Sequence, residues 1–151
     1  MDHDHLVNLL NDLIETCKDG EYGFDAWGKH ASSPEIRQVF TQHAADCREA
    51  ARELQGLVKT EAGAPDTSGS ALGAMHRGWV SVLGTVAGNS DKRMLEEAER
   101  GEDSAVASYR KALREIDLPA NVRAVIERQM AGAQRNHDQI KALRDRAKAT
   151  N

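Results

Sequence analysis

Four long stretches of this 151-residue chain carry apolar residues at alternating steps of three and four, and strict alternation is nowhere sustained. That spacing lines one face of an α-helix and leaves no strand pattern to compete with it. The first stretch runs from about residue 4 to 30, with Leu6, Leu10, Leu13, Cys17, Gly20, Phe24 and Trp27 along its seam. The second, about 33–59, opens on Ser32-Ser33-Pro34-Glu35, a hydroxyl residue, an early proline and a following Glu that together mark a helix start. Its seam is Ile36, Phe40, His43, Cys47, Ala50, Leu54 and Leu57. The third, about 90–116, carries Leu95, Ala98, Glu102, Ala105, Tyr109, Ala112 and Ile116, and Asp117-Leu118-Pro119 then restarts the chain. The fourth, about 119–146, aligns Val122, Ile126, Met130, Ala133, His137, Ile140 and Leu143 or Arg144.

The connections constrain how these helices assemble. Short turns make the first and second helices antiparallel neighbours, and likewise the third and fourth. Between them lies a linker from about residue 60 to 70, followed by a shorter helical pattern over about 71–87 with Leu72, Met75, Trp79, Leu83 and Val86. A helix of about 25 residues is ~38 Å long, and a segment of this size can recross that length. The expected architecture is an all-α four-helix bundle, a single domain over residues 1–151, made of two antiparallel hairpins joined by a long crossover that contains a short extra helix. One long crossover is the ferritin-like connectivity.

Composition removes other classes. Aromatics are 4% and prolines number three, too few for an all-β sandwich or barrel. Lys and Arg total 20 against 24 Asp and Glu, so nucleic acid is not an expected partner. The apolar run from Trp79 to Val86 falls far short of the ~18–20 residues that span a bilayer. The opening Met-Asp-His-Asp-His is acidic and lacks the basic and apolar regions of a secretory signal. Two cysteines do not make a disulfide framework, so a cytoplasmic, reducing location is expected. Phosphate-loop, dinucleotide and Cys-x-x-Cys motifs are all missing from the sequence.

Polar residues interrupt the seams, and every long helix contributes at least one. They are Glu21 beside Gly20, His43, Glu102 with Glu99 one turn before it, and His137. Unpaired carboxylates and imidazoles are costly to bury, so these should be paired, hydrogen-bonded or bound to metal. Folding the first hairpin about residue 32 sets Glu21 level with His43 and Cys17 level with Cys47. Folding the second about residue 118 sets Glu99 level with His137 and Glu102 level with Gln134. Each hairpin thus places a carboxylate opposite a histidine near mid-bundle. Ferritin-like di-iron proteins take a Glu and a Glu-x-x-His pair from each hairpin, and oxygen ligands with imidazole suit iron or manganese.

The stretches Asn11 to Phe24, His76 to Val80, Leu95 to Asp103 and Gln134 to Asp138 resemble an uncharacterised bacterial family of ferritin-like four-helix bundles, a domain of unknown function. The similarity covers about residues 4–146. It implies the ferritin-like fold and brings no activity, substrate or cofactor with it. Against the di-iron pattern, Glu21, His43, Glu99 or Glu102, and His137 match, while Phe40 and Gln134 stand where the two Glu-x-x-His carboxylates would be. Asp46, one turn past His43, partly compensates. The expectation is therefore a reduced iron or manganese site drawn from Glu21, His43, Asp46, Glu99, Glu102, Gln134 and His137. The competing expectation is a metal-free structural or stress-related bundle, in which these residues form a hydrogen-bonded network that fixes helix register and which acts through a protein partner or by self-association.

Three further features have simpler readings. Cys17 and Cys47 read as small buried hydrophobes rather than a redox pair, because helix axes ~8–10 Å apart hold Cα atoms beyond disulfide reach. Met1-Asp2-His3 could wrap Cu(II) or Ni(II), but Asp2 or Asp4 more simply caps the first helix. Gly20 and Gly101, inside helices, either permit close approach or leave room around the polar centre.

Overall fold

The computed structural model describes residues 1–61 and 90–149, and these form four helices with no strand among the described residues. They are α1 (His3–His30), α2 (Pro34–Thr60), α3 (Asp91–Leu113) and α4 (Ala120–Ala149). The helix expected over 71–87, and the linker before it beyond residue 61, lie outside the described residues.

Each of the first three helices begins on a side-chain oxygen that accepts an otherwise unpaired amide of its first turn. Asp2 accepts from the Asp4 amide, Ser33 from Ile36 and Ser90 from Arg93. Pro34 takes the first helical position of α2, where its missing N–H costs nothing. At the other end of α3 the helix stops at Leu113, short of residue 116. Arg114 and Glu115 close it with bonds to Lys111 and Ala112, and the Arg123 guanidinium donates to the carbonyls of Leu113 and Glu115. Pro119 forbids continuation of the helix through the preceding residue. Ile116, expected on the seam, is consequently 89% exposed, and Leu118 takes the buried place.

Contacts at the two ends fix the arrangement. The Asp91 carboxylate accepts from the Ser32 and Ser33 amides, at 2.8 and 2.9 Å, so α3 begins where α1 hands over to α2. Arg146 reaches Glu35 at that same end. At the opposite end His5 meets Glu115 at 3.1 Å, and the His3 ring meets the Glu61 carbonyl. Helices α2 and α3 therefore run in the same direction, and Glu61 and Ser90 stand at opposite ends of the bundle.

The core is two clusters rather than one. Leu6, Leu10, Leu13, Ile14, Leu54, Val58, Val122 and Ile126 fill the end near the α3–α4 turn. Phe24, Trp27, Phe40, Leu95, Ile140 and Leu143 fill the other, where the Phe24 ring lies 5.8 Å from both Trp27 and Phe40. Each large side chain buried this fully contributes about 1.5–3 kcal/mol. Most of the polar residues that the seams predicted fall near the division between the clusters.

Candidate metal centre

The polar side chains separate into three groups. Glu21 is taken up by two cations, Arg48 at 2.8 Å and Lys18 at 3.5 Å. His43 is buried, packs edge-on against Phe24 with centroids 5.1 Å apart, and shares a 2.9 Å hydrogen bond between its Nε2 and Gln139 Oε1. Burial holds His43 below the usual imidazole range. Asp46 is exposed and accepts from Gln42 at 3.0 Å, and Gln134 is exposed and donates to Asp138 at 3.0 Å. Glu102 is buried with no hydrogen bond among the described residues, and burial, then the charges of Asp46 and Asp103, push its carboxyl up to about 8.

The side chains of antiparallel helices explain why Glu21 meets Arg48 and not His43. Every helical side chain leans toward its own N-terminus. Across an antiparallel pair the two leans are opposed, so tips meet further from the connecting turn on the second helix than a simple fold places them. Gly20 lies against Cys47, and Gly28 against Thr41, three and five residues beyond the positions set by folding about residue 32. The same displacement in the second hairpin brings Asp103, as well as Glu99, onto His137. The sequence reading omitted Asp103; its signal was the Glu99-x-x-x-Asp103 spacing, which stacks both carboxylates on one face.

Among the described residues, one group of His, Cys, Asp or Glu side chains converges closely enough to hold an ion: Glu99, Asp103 and His137, with ligand atoms within 4.8 Å of one another. His137 Nε2 stands 2.8 Å from Asp103 Oδ1 and 3.7 Å from Glu99 Oε1, and its Nδ1 stands 3.2 Å from Asp138 Oδ1. Bonds of ~2.1 Å put neighbouring ligands of one ion ~3 Å apart, close to these separations. Glu99 and His137 are largely buried, whereas Asp103 opens to solvent. The hydrogen bond from His137, then that from Gln134, holds the Asp138 carboxyl below the usual range. The second Glu99 oxygen is occupied by the Arg144 guanidinium, whose Nε is buried and unpartnered among the described residues.

A neutral imidazole donates from one nitrogen only. With one nitrogen near Asp138 and the other near Asp103 and Glu99, a neutral imidazole can donate to only one side, and a cation would match the carboxylates on the other. A second proton or a metal ion would serve. If a metal ion were held there, Asp138 would be the outer carboxylate that orients the histidine.

A second polar chain crosses the bundle without converging on a point. The Cys17 thiol lies 3.3 Å from the Tyr109 hydroxyl, which donates to Gln129 Oε1 at 2.9 Å; Gln129 in turn donates to Glu53 at 2.8 Å and to the Ala50 carbonyl. Both cysteines are free. Burial pushes the Cys17 thiol up to about 11 and holds Cys47 well above its ordinary value, so both stay protonated and weakly nucleophilic near neutral pH. Gly20 is where α1 and α2 approach closely, since a Cβ there would lie 2.8 Å from Cys47 Sγ. A Cβ on Gly101 would meet nothing within 4 Å. Of the two roles that the sequence left open, Gly20 takes close approach, while Gly101 is exposed and takes neither.

An all-helical bundle of this kind, with acidic side chains and a histidine brought together between its last two helices, can be set beside known families. Residues 5–115 match a domain of unknown function, DUF2383, and the chain belongs to that family. Glu99 and Asp103 lie inside the matched span, and His137 lies beyond it. Curated proteins offer no match to the sequence. Among the described residues no helix is long and apolar enough to cross a membrane.

Proposed function

We propose that this protein is a ferritin-like bundle that binds one divalent cation, iron or manganese, through Glu99, Asp103 and His137, with Asp138 orienting the imidazole. The observation that carries the reading is His137 itself, whose two ring nitrogens both face carboxylates. Carboxylate oxygens with one imidazole suit these metals. Ferritin-like connectivity is supported by the shared direction of α2 and α3, because the chain between Glu61 and Ser90 must join opposite ends of the bundle. A dinuclear centre is disfavoured: Glu21 is held by Arg48 and Lys18, His43 by Gln139, and neither joins the cluster. Two free thiols fit a cytoplasmic, reducing compartment.

The test is elemental analysis after anaerobic loading with Fe(II), or loading with Mn(II), followed by desalting. About one equivalent per chain is expected in the wild type and none in His137→Ala. Equal retention in the two proteins would overturn the proposal. The Arg144 guanidinium on Glu99 supports a second reading, in which His137 carries two protons and the cluster is an ion network that sets the register of α3 on α4. In that case the bundle acts as a scaffold through self-association or a protein partner, and neither protein retains metal.

A further inference from the structure

Between the four helices the interior opens into a cleft of about 1140 Å³, ample for a small organic ligand. Phe24, Trp27, Cys47 and Tyr109 stand on its walls among charged and polar side chains, and the apolar part of the lining surface is the larger. Six carboxylates line it, Asp19, Asp46, Glu49, Glu53, Glu97 and Glu102; of these Glu102 is the buried one, 4% exposed and with no hydrogen bond or ion pair among the described residues. Buried polar groups are nearly always partnered, so such a carboxyl facing a cavity points to a ligand. The cations at the rim do not reach it: Arg100 is paired with Glu97 and Arg128 with Glu53, and Arg135 lies exposed. Asp46, exposed on the lining, adds negative charge and accepts only from the Gln42 amide among the described residues.

We propose that this cleft binds a small organic ammonium ion, with its charged nitrogen on Glu102 and its apolar body against Phe24 and Trp27. An ammonium group supplies both the countercharge and the hydrogen-bond donors that Glu102 lacks, and aromatic faces attract the adjoining cationic carbons. The site is separate from the His137 cluster and does not depend on metal there.

Calorimetric titration of the chelator-treated protein with hexylamine, and with hexanol as its uncharged counterpart, tests the proposal. The amine should bind at least tenfold more tightly than the alcohol. Glu102→Gln should weaken the amine at least tenfold while leaving the alcohol unchanged. His137→Ala should leave amine binding as in the wild type. Equal affinity for amine and alcohol, or failure of the wild type to bind the amine, would overturn the site. So would amine binding that persists in Glu102→Gln, or that falls in His137→Ala as far as in Glu102→Gln.

Discussion

The two hairpins each present a carboxylate and a histidine near mid-bundle, yet they treat them in opposite ways. In the first, Glu21 is neutralised by Arg48 and Lys18, while His43 is buried beside Phe24 with the Gln139 amide as its one hydrogen-bond partner among the described residues. In the second, His137 collects Asp103, Glu99 and Asp138, against which stands one guanidinium, Arg144. The difference is one of counting charges after the side chains have leaned. Residues that reach Glu21 from α2 are basic, and those that reach His137 from α3 are acidic. A carboxylate opposite a histidine is therefore not by itself a ligand pair. The surplus of negative charge around the His137 imidazole is what favours a cation there in the proposed reading, whereas Glu21, with Arg48 and Lys18, forms a closed network.

The largest expected effect breaks this comparison directly. His137→Ala should abolish retention of manganese, at least 100-fold in affinity, whereas His43→Ala should keep the wild-type stoichiometry and lose about 2–4 kcal/mol of stability through the void beside Phe24. Elemental analysis and urea unfolding of both variants read the two outcomes. Asp138→Asn sharpens the same contrast, with a loss of about tenfold in affinity, the usual scale for a partner that orients a ligand.

Next in size is a pH effect on Glu102. Its folded value, about 8, lies above the ordinary 4.5, because burial and then Asp46 and Asp103 disfavour the charged form. Its contribution to stability is thus full below 4.5 and is lost as pH rises through about 8. In urea titrations of chelator-treated protein, the wild type should lose stability relative to Glu102→Gln by no more than ~1.4 kcal/mol per pH unit, levelling off above that value. A flat difference would show that the carboxyl is not held in its neutral form.

Smaller effects separate the two glycines. Gly20→Leu should cost about 1–3 kcal/mol by driving α1 off Cys47, with part recovered in Gly20→Leu combined with Cys47→Ala. Gly101→Ala should stabilise the bundle by up to about 1 kcal/mol, since only helix propensity changes there. Smallest of all, removing the exposed Arg146–Glu35 pair with Glu35→Gln should shift the unfolding midpoint by less than about 1 kcal/mol in free energy.

The four helices were legible in the chain because apolar spacing and turn chemistry agree. Ser33, Pro34 and the Asp117-Leu118-Pro119 break all act locally, and the buried face of each helix repeats over about six to eight turns. Ile116 was misread as seam because the helix is closed by a long-range bond, Arg123 to the Leu113 carbonyl, which spacing does not encode. The candidate site was only half legible. Glu99 and His137 followed from a symmetric fold about the turn, but Asp103 and the pairing of Glu21 with Arg48 depend on the opposed leans of side chains. Gln134, placed in the site by its i, i+3 spacing to His137, instead lies on the outer surface and steadies Asp138. Such assignments require helix rotation to within a fraction of a turn, which one sequence does not supply.

The grip of Asp91 on Ser32 and Ser33 has a kinetic corollary. Those two amides belong to the first hairpin, yet their acceptor is on the second. In amide hydrogen exchange they should be slowed only while the hairpins are docked, whereas amides inside α1 and α2 answer to the bonds of their own helices as well. Their exchange rates would time the opening of one half of the molecule from the other, and Asp91→Asn would quicken them while leaving the helix interiors protected.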